Sequence, residues 1–154
     1  MTRQRPVTYT LFFTVASILF LLFLFILDPI RALGWVLIPV HQHHAERYMT
    51  SLQQNDFTST AASTNRGKAD QTEWIDWMET LQEQDFSVVQ YSNLKVPYDR
   101  ERMDGMADVT FHTNGNQETY RIRMNFALNG VKQACIVPEE TEFARRWNAV
   151  QCRL

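Results

Sequence analysis

Between Leu11 and Leu27 the chain reads LFFTVASILFLLFLFIL, an apolar run that no charge interrupts before Asp28. Counted back to Val7 it is roughly twenty residues long, which at about 1.5 Å per residue approaches the ~30 Å hydrocarbon core of a bilayer. The run has no polar face at helical period, so the core helix of a soluble protein fits it poorly. Cleaved signal peptides carry a shorter apolar region, about 7 to 15 residues, and then a small-x-small site. Here the region is longer and runs into Asp28, Pro29, Ile30 and Arg31, which favours an uncleaved signal anchor over the alternative of cleavage near Ala32 to Gly34.

Arg3 and Arg5 precede the run with no acidic residue among them, which by the positive-inside bias puts the N-terminal tail in the cytoplasm. Arg31 and Arg47 lie on the other flank, partly offset by Asp28 and Glu46. The expectation is a single-pass protein of the cell membrane. Residues 1–8 form a short cytoplasmic tail, 9–40 a transmembrane helix and juxtamembrane segment, and 41–154 an extracytoplasmic domain. Asp28 can cap a new helix with Pro29 at its first position, and Trp35 suits the headgroup region. Pro39 then marks the way into the soluble domain.

The formal charge is −2, so there is no basic field and nucleic acid is not an expected partner. The roughly 115 residues after Pro39 suffice for one domain with one core. Within them Phe57 to Lys68, rich in Ser, Thr and Ala, reads as a mobile loop. The two cysteines, Cys135 and Cys152, would lie on the oxidising side of such a membrane. A disulfide between them closes a loop of about 17 residues, worth about 3 kcal/mol in the chain-entropy model; the alternative is two buried thiols.

Ala45, Tyr48, Met49 and Leu52 recur at helical spacing within His41 to Gln54. A second helix is expected from near Asp70, with Glu73 as capping-box partner and Trp74, Ile75, Trp77, Met78 and Leu81 on its apolar side. From Phe86 the period becomes two. Ser87 to Val96 reads as a strand, Tyr98 to Asp104 as an exposed connection, and Met106 to Thr113 as a half-buried strand. Asn114 and Gly115 supply a tight turn into the strand of Tyr120, Ile122, Met124, Phe126 and Leu128, and Asn129 with Gly130 a second turn into Val131 to Val137. The last segment is open: Phe143, Trp147, Val150 and Leu154 recur at helical spacing, while Val150, Cys152 and Leu154 alternate as a strand would. The fold class is α+β, with an N-terminal transmembrane helix followed by two helices packed on a curved antiparallel sheet of about four strands.

Two helices, then a sheet, with Tyr48, Leu52 and Asp56 in a Tyr-x-x-x-Leu-x-x-x-Asp pattern, resemble the nuclear transport factor 2-like or cystatin-like superfamily. The likeness extends to Ala107–Phe111 in one strand and Phe126–Gly130 at a hairpin; the strand after Gly130 departs from it, carrying Cys135 where such domains often have a Trp. The resemblance implies a cone-shaped sheet closed by helices, whose cavity serves catalysis in some members and assembly in others. Members on one N-terminal helix include scaffold subunits of secretion and conjugation machines.

Residues that could carry chemistry are few. His41, His43 and His44 with Glu46 could contribute to a metal site, though a tetrahedral set needs another ligand from elsewhere, so a polar juxtamembrane cluster is the simpler reading and no cofactor is expected. His112 and Tyr91 are candidates to line a cavity, His112 as a general base if its strand face is concave. Glu73, Asp76 and Glu79 fit a polar helix face, and no nucleophile elbow or phosphate loop occurs. Arg121 and Arg123 project from the wet face of the best strand, with Arg100 and Arg102 in a nearby loop, and could dock an acidic partner. The expected function is therefore non-enzymatic: an extracytoplasmic domain mediating protein–protein interaction in a membrane or envelope assembly. The alternative is a tethered cavity domain that binds or transforms a small molecule.

Overall fold

A computed structural model describes residues 5–97, 104–113 and 115–152. The fold is mixed α+β: an N-terminal apolar helix, further helices, and a four-stranded antiparallel sheet that does not close into a barrel. The chain divides into one unit ending at Leu37 and a second, Ile38–Leu154.

In the first unit α1 spans Arg5–Leu27. Its stretch Thr10–Leu27 is long and apolar enough to cross a membrane, and none of its described side chains is buried. Helix α2, Pro29–Gln53, begins at the expected proline. Pro39 does not end it. The proline lacks the N–H for one helical bond, but the hydrogen-bonded turns on either side carry α2 past it.

The second unit is built on the sheet. Strands β1 (Ser87–Lys95), β2 (Asp104–Thr113), β3 (Asn116–Ala127) and β4 (Gly130–Ile136) lie side by side in chain order. Gly105, Ala107, Val109 and Phe111 of β2 are buried, as are Ile122 and Met124 of β3 and Ala134 and Ile136 of β4. Against them pack His41, Ala45, Tyr48, Met49 and Leu52 of α2, the spacing that marks one helix face. Helix α4 (Lys68–Glu83) adds Trp74 and Met78, and α5 (Glu142–Gln151) adds Ala144 and Trp147. The segment 98–103, expected as an exposed connection, and Asn114 of the first turn lie outside the described residues.

Three expectations need correcting. The segment read as a mobile loop holds helix α3, Phe57–Ala62, capped by Asp56, whose carboxylate accepts from the Ser59 N–H at 3.0 Å. Phe57, Thr60 and Ala61 are buried there, and the Thr60 hydroxyl donates to Ser51 Oγ on α2 at 2.9 Å, so a stretch polar in composition is fixed from both sides. Helix α4 starts earlier than Asp70, at Lys68, with Gly67 as N-cap. The second hairpin turn is Leu128 and Asn129, because Ala127 pairs with Gly130. Gly130 is needed for space rather than for turning: a β-carbon on it would sit 2.3 Å from the Ser63 carbonyl oxygen. Gly115, by contrast, has φ +78°, which the tight turn between Thr113 and Asn116 requires.

The open alternative for the last segment resolves as a helix. Thr141 caps α5 by accepting from the Ala144 N–H at 3.1 Å, and Glu142 in the first turn pairs with Arg145 and Arg146, both at 3.0 Å. Cys152 at its C-terminal end still reaches Cys135 on β4, with 5.8 Å between Cα atoms, and the two form a disulfide.

Both ends of the outer edge of β4 are covered. Val131 exchanges backbone hydrogen bonds with Ser63 and Asn65 in a parallel bridge. At the other end Asn148 of α5 accepts from the Ile136 N–H at 2.8 Å and donates to the Ile136 carbonyl at 2.9 Å. β1 carries irregularities after Val88 and after Ser92, with Asn93 at φ 54°, and Gln53 donates to the Val89 carbonyl at 3.2 Å. Bulges of this kind blunt an edge against strand addition.

Candidate functional site

Partners directly opposite in an antiparallel sheet point to the same face. The pairing therefore builds the outer face as rows running across the strands. One row places Ser92, Asp108 and Arg121 together. Arg121 Nε donates to Asp108 Oδ1 at 3.0 Å and Asn93 Nδ2 to Asp108 Oδ2 at 2.8 Å. Those hydrogen bonds, from Asn93 first and Arg121 next, hold the Asp108 carboxyl below its ordinary pKa. In the next row towards the second hairpin Lys95, Met106, Arg123 and Cys135 stand in line across all four strands.

The Arg123 end of that row opens onto a cleft of about 390 Å³ shared with the disulfide, Glu139, Arg145 and Asn148. Glu139 accepts from Asn148 Nδ2 at 3.3 Å, and Arg145 is engaged by Glu142 and the Glu140 carbonyl. The Arg123 side chain is half-buried and makes no hydrogen bond or ion pair among the described residues.

The opposite face is occupied by rings. Phe111 of β2 lies within 6 Å of Phe86, Tyr120, Phe143 and Trp147, and Trp77 meets Trp147 edge-on at 5.9 Å. The Trp147 indole N–H donates to the Ala134 carbonyl at 2.8 Å, which satisfies a fully buried polar group. At the rim of this cluster Trp77, Leu81, Tyr120, Phe143 and Arg146 line a cleft of about 370 Å³. Tyr120 Oη donates to Glu118 there, and burial with that carboxylate raises its pKa.

The two cavity candidates are not brought together. The Tyr91 hydroxyl meets Thr50 Oγ1 at 3.2 Å, tying β1 to α2. His112 Nδ1 stands 3.8 Å from the exposed Asp85 carboxylate, and neither residue lines the two clefts just described. The histidine cluster is also dispersed. His41 is buried and stacked on Phe126 with ring centres 4.7 Å apart, while His43 is exposed. No group of three or more His, Cys, Asp or Glu among the described residues is placed to hold a metal ion.

Asp108, Asn93, Met106 and Asn148 escaped sequence reasoning. Asp108 and Met106 had a usable signal: a two-residue turn at Asn114 and Gly115 pairs Asp108 with Arg121 and Met106 with Arg123 by counting outward. Asn148 had none, because a helix surface gives no hint of which backbone it will meet.

A buried polar group holds the C-terminal end of α5. Arg66 donates to the Gln151 carbonyl at 2.5 Å, to its side-chain oxygen at 2.9 Å and to the Val150 carbonyl at 3.3 Å. A cation at a helix C-terminus also complements the helix dipole. Tyr48 Oη is fully buried beside this group, and burial pushes its pKa far up against the opposing effects of Arg66 and Gln151. Tyr48 and Leu52 of the pattern are thus core residues, and Asp56 is the cap of α3.

Compared with known proteins, the chain matches no family profile and no curated sequence.

Proposed function

We propose that the chain is a non-enzymatic, single-pass membrane protein whose second unit is an extracytoplasmic interaction domain, a subunit or accessory of a membrane or envelope assembly. The observation that carries this reading is one chain holding both a bilayer-length apolar helix with exposed side chains and a domain closed by a disulfide. The first has a use in lipid, and the second belongs to an oxidising compartment. With α1 crossing the membrane, Arg3 and Arg5 stay cytoplasmic and the disulfide lies outside. The helices, open sheet and roles of Tyr48, Leu52 and Asp56 support placing the domain among nuclear transport factor 2-like folds used for assembly.

The test is extraction of the full-length protein from its native membrane in mild detergent, with particle mass and companion chains measured. A defined complex with stoichiometric companions is expected. A lone monomer that alkaline carbonate strips from the membrane overturns both the anchor and the assembly role.

One observation favours a second reading, a small-molecule site. The aromatic-walled cleft beside Trp77 and Phe143 has the volume of a ligand pocket, about 370 Å³. Ligand-dependent shifts in thermal unfolding, abolished by Phe143→Ala, would shift the weight to it.

A further inference from the structure

We propose that the outer face of the sheet docks an acidic segment of a partner protein, with Arg123 as the anchor. This rests on the interaction reading above and gives that interaction a place and a chemistry.

The row Lys95, Met106, Arg123, Cys135 crosses the whole sheet. With strands about 4.8 Å apart, Lys95 and Arg123 stand roughly 10 Å from one another. Met106 lies between them, 41% exposed, an apolar contact flanked by two cations. The neighbouring row is already neutral, because Arg121 is paired with Asp108. Arg66, Arg145 and Arg146 also have acceptors.

Arg123 differs from all of these. Its side chain is half-buried, so part of its hydration is lost, yet no acceptor among the described residues compensates. A guanidinium presents five N–H donors in a planar fork, which a carboxylate fits through two parallel bonds. The cleft beside it has room for such a group, and its one carboxylate, Glu139, is turned to Asn148. A free anion would satisfy Arg123 alone. An extended segment, at about 3.3 Å per residue, presents every second side chain to one face, so acidic residues at positions i and i+4 would satisfy Arg123 and Lys95 and an apolar one at i+2 would cover Met106. The whole row therefore fits a protein segment better than a small ion.

The test uses full-length protein in lipid nanodiscs and a fluorescent peptide of about ten glutamate and leucine residues, read by anisotropy at low salt. Saturable binding is expected, weakened about tenfold or more by Arg123→Met and less than about twofold by Arg47→Met, which removes an exposed cation elsewhere. Arg123→Lys keeps the charge and removes the fork; it is expected to bind more weakly than wild type and serves as the variant if R123M does not fold. Equal affinity in wild type and the folded variant overturns the proposal, as does absence of saturable binding. Displacement of the peptide by millimolar inorganic phosphate would mark a small-anion site and also overturn it. If companions purify with the wild type and remain at the same level with the folded variant, the surface is wrong while the interaction reading stands. Arg123-dependent peptide binding by a chain that purifies without companions would support the surface and overturn the assembly role.

Discussion

Gly130 lies so close to Ser63 that a β-carbon placed on it would stand 2.3 Å from the Ser63 carbonyl oxygen. That contact lets Val131 donate to the same oxygen at 3.2 Å and accept from the Asn65 N–H at 2.9 Å, so the chain after α3 becomes a cover for β4. Gly130→Ala must push the two backbones apart and break that bridge. We expect a loss of about 2 to 3 kcal/mol in urea unfolding followed by tryptophan fluorescence. Gly115→Ala, which meets nothing within 4 Å but sits at φ +78°, is expected to cost about 1 kcal/mol.

The same glycine shows where sequence reading stopped. Asn followed by Gly signals a turn through the freedom of glycine at positive φ, and that logic holds at Gly115. At Asn129 and Gly130 the dipeptide looks identical, but the glycine is there for a neighbour 67 positions away in the chain, which no local pattern reveals. The one-residue error in the turn matters because strand faces alternate. Placing the turn at Leu128 and Asn129, with the bulge at Asn125 and Phe126, is what sets Arg123 opposite Cys135 instead of on a core partner. Alternation and helical spacing made the core legible, from Ala45 and Tyr48 to Phe111 and Trp147. Helix α3 was hidden because burial of Thr60 depends on a hydroxyl partner, Ser51, and not on hydrophobicity.

Asn148 replaces a strand at the end of β4. Its amide matches both backbone groups of Ile136, a residue 1% exposed. Asn148→Ala leaves an N–H and a C=O unpaired at a site with little access to water, and we expect a loss of about 2 to 3 kcal/mol. Amide hydrogen exchange at Ile136 should accelerate in step. Asn148→Asp is expected to be at least as harmful at neutral pH, since it keeps an acceptor for the N–H but sets a second carboxylate beside Glu139.

The disulfide closes a separation of 17 residues that includes all of α5. In the chain-entropy model such a loop is worth about 3 kcal/mol. Cys135→Ser with Cys152→Ser should lower stability by about that amount. The helix should persist in circular dichroism, because Trp147, Asn148 and the Arg66 clamp hold it independently. Adding Arg66→Ala to the double variant removes the clamp on the last turn of α5 and leaves there the bond from Gln133 Nε2 to the carbonyl of residue 152, at 3.1 Å. The expected outcome is loss of protease resistance confined to that helix.

His41 makes stability depend on pH in a definite direction. It is buried and stacked on Phe126, and burial, with the charge of His44 adding to it, lowers its pKa from an ordinary value of 6.5. The unfolded chain therefore takes up a proton at higher pH than the folded one. As pH falls below about 6.5 the unfolded state binds more protons and gains on the native state, so stability declines through that window and is flat above it. His41→Phe keeps an aromatic partner for Phe126 and removes the titrating group. Urea unfolding near pH 7.5 and near pH 5 should show a smaller loss on acidification for this variant than for the wild type. An equal loss in both would mean that folded His41 takes up its proton as readily as the unfolded residue, and the linkage assigned to it would be wrong.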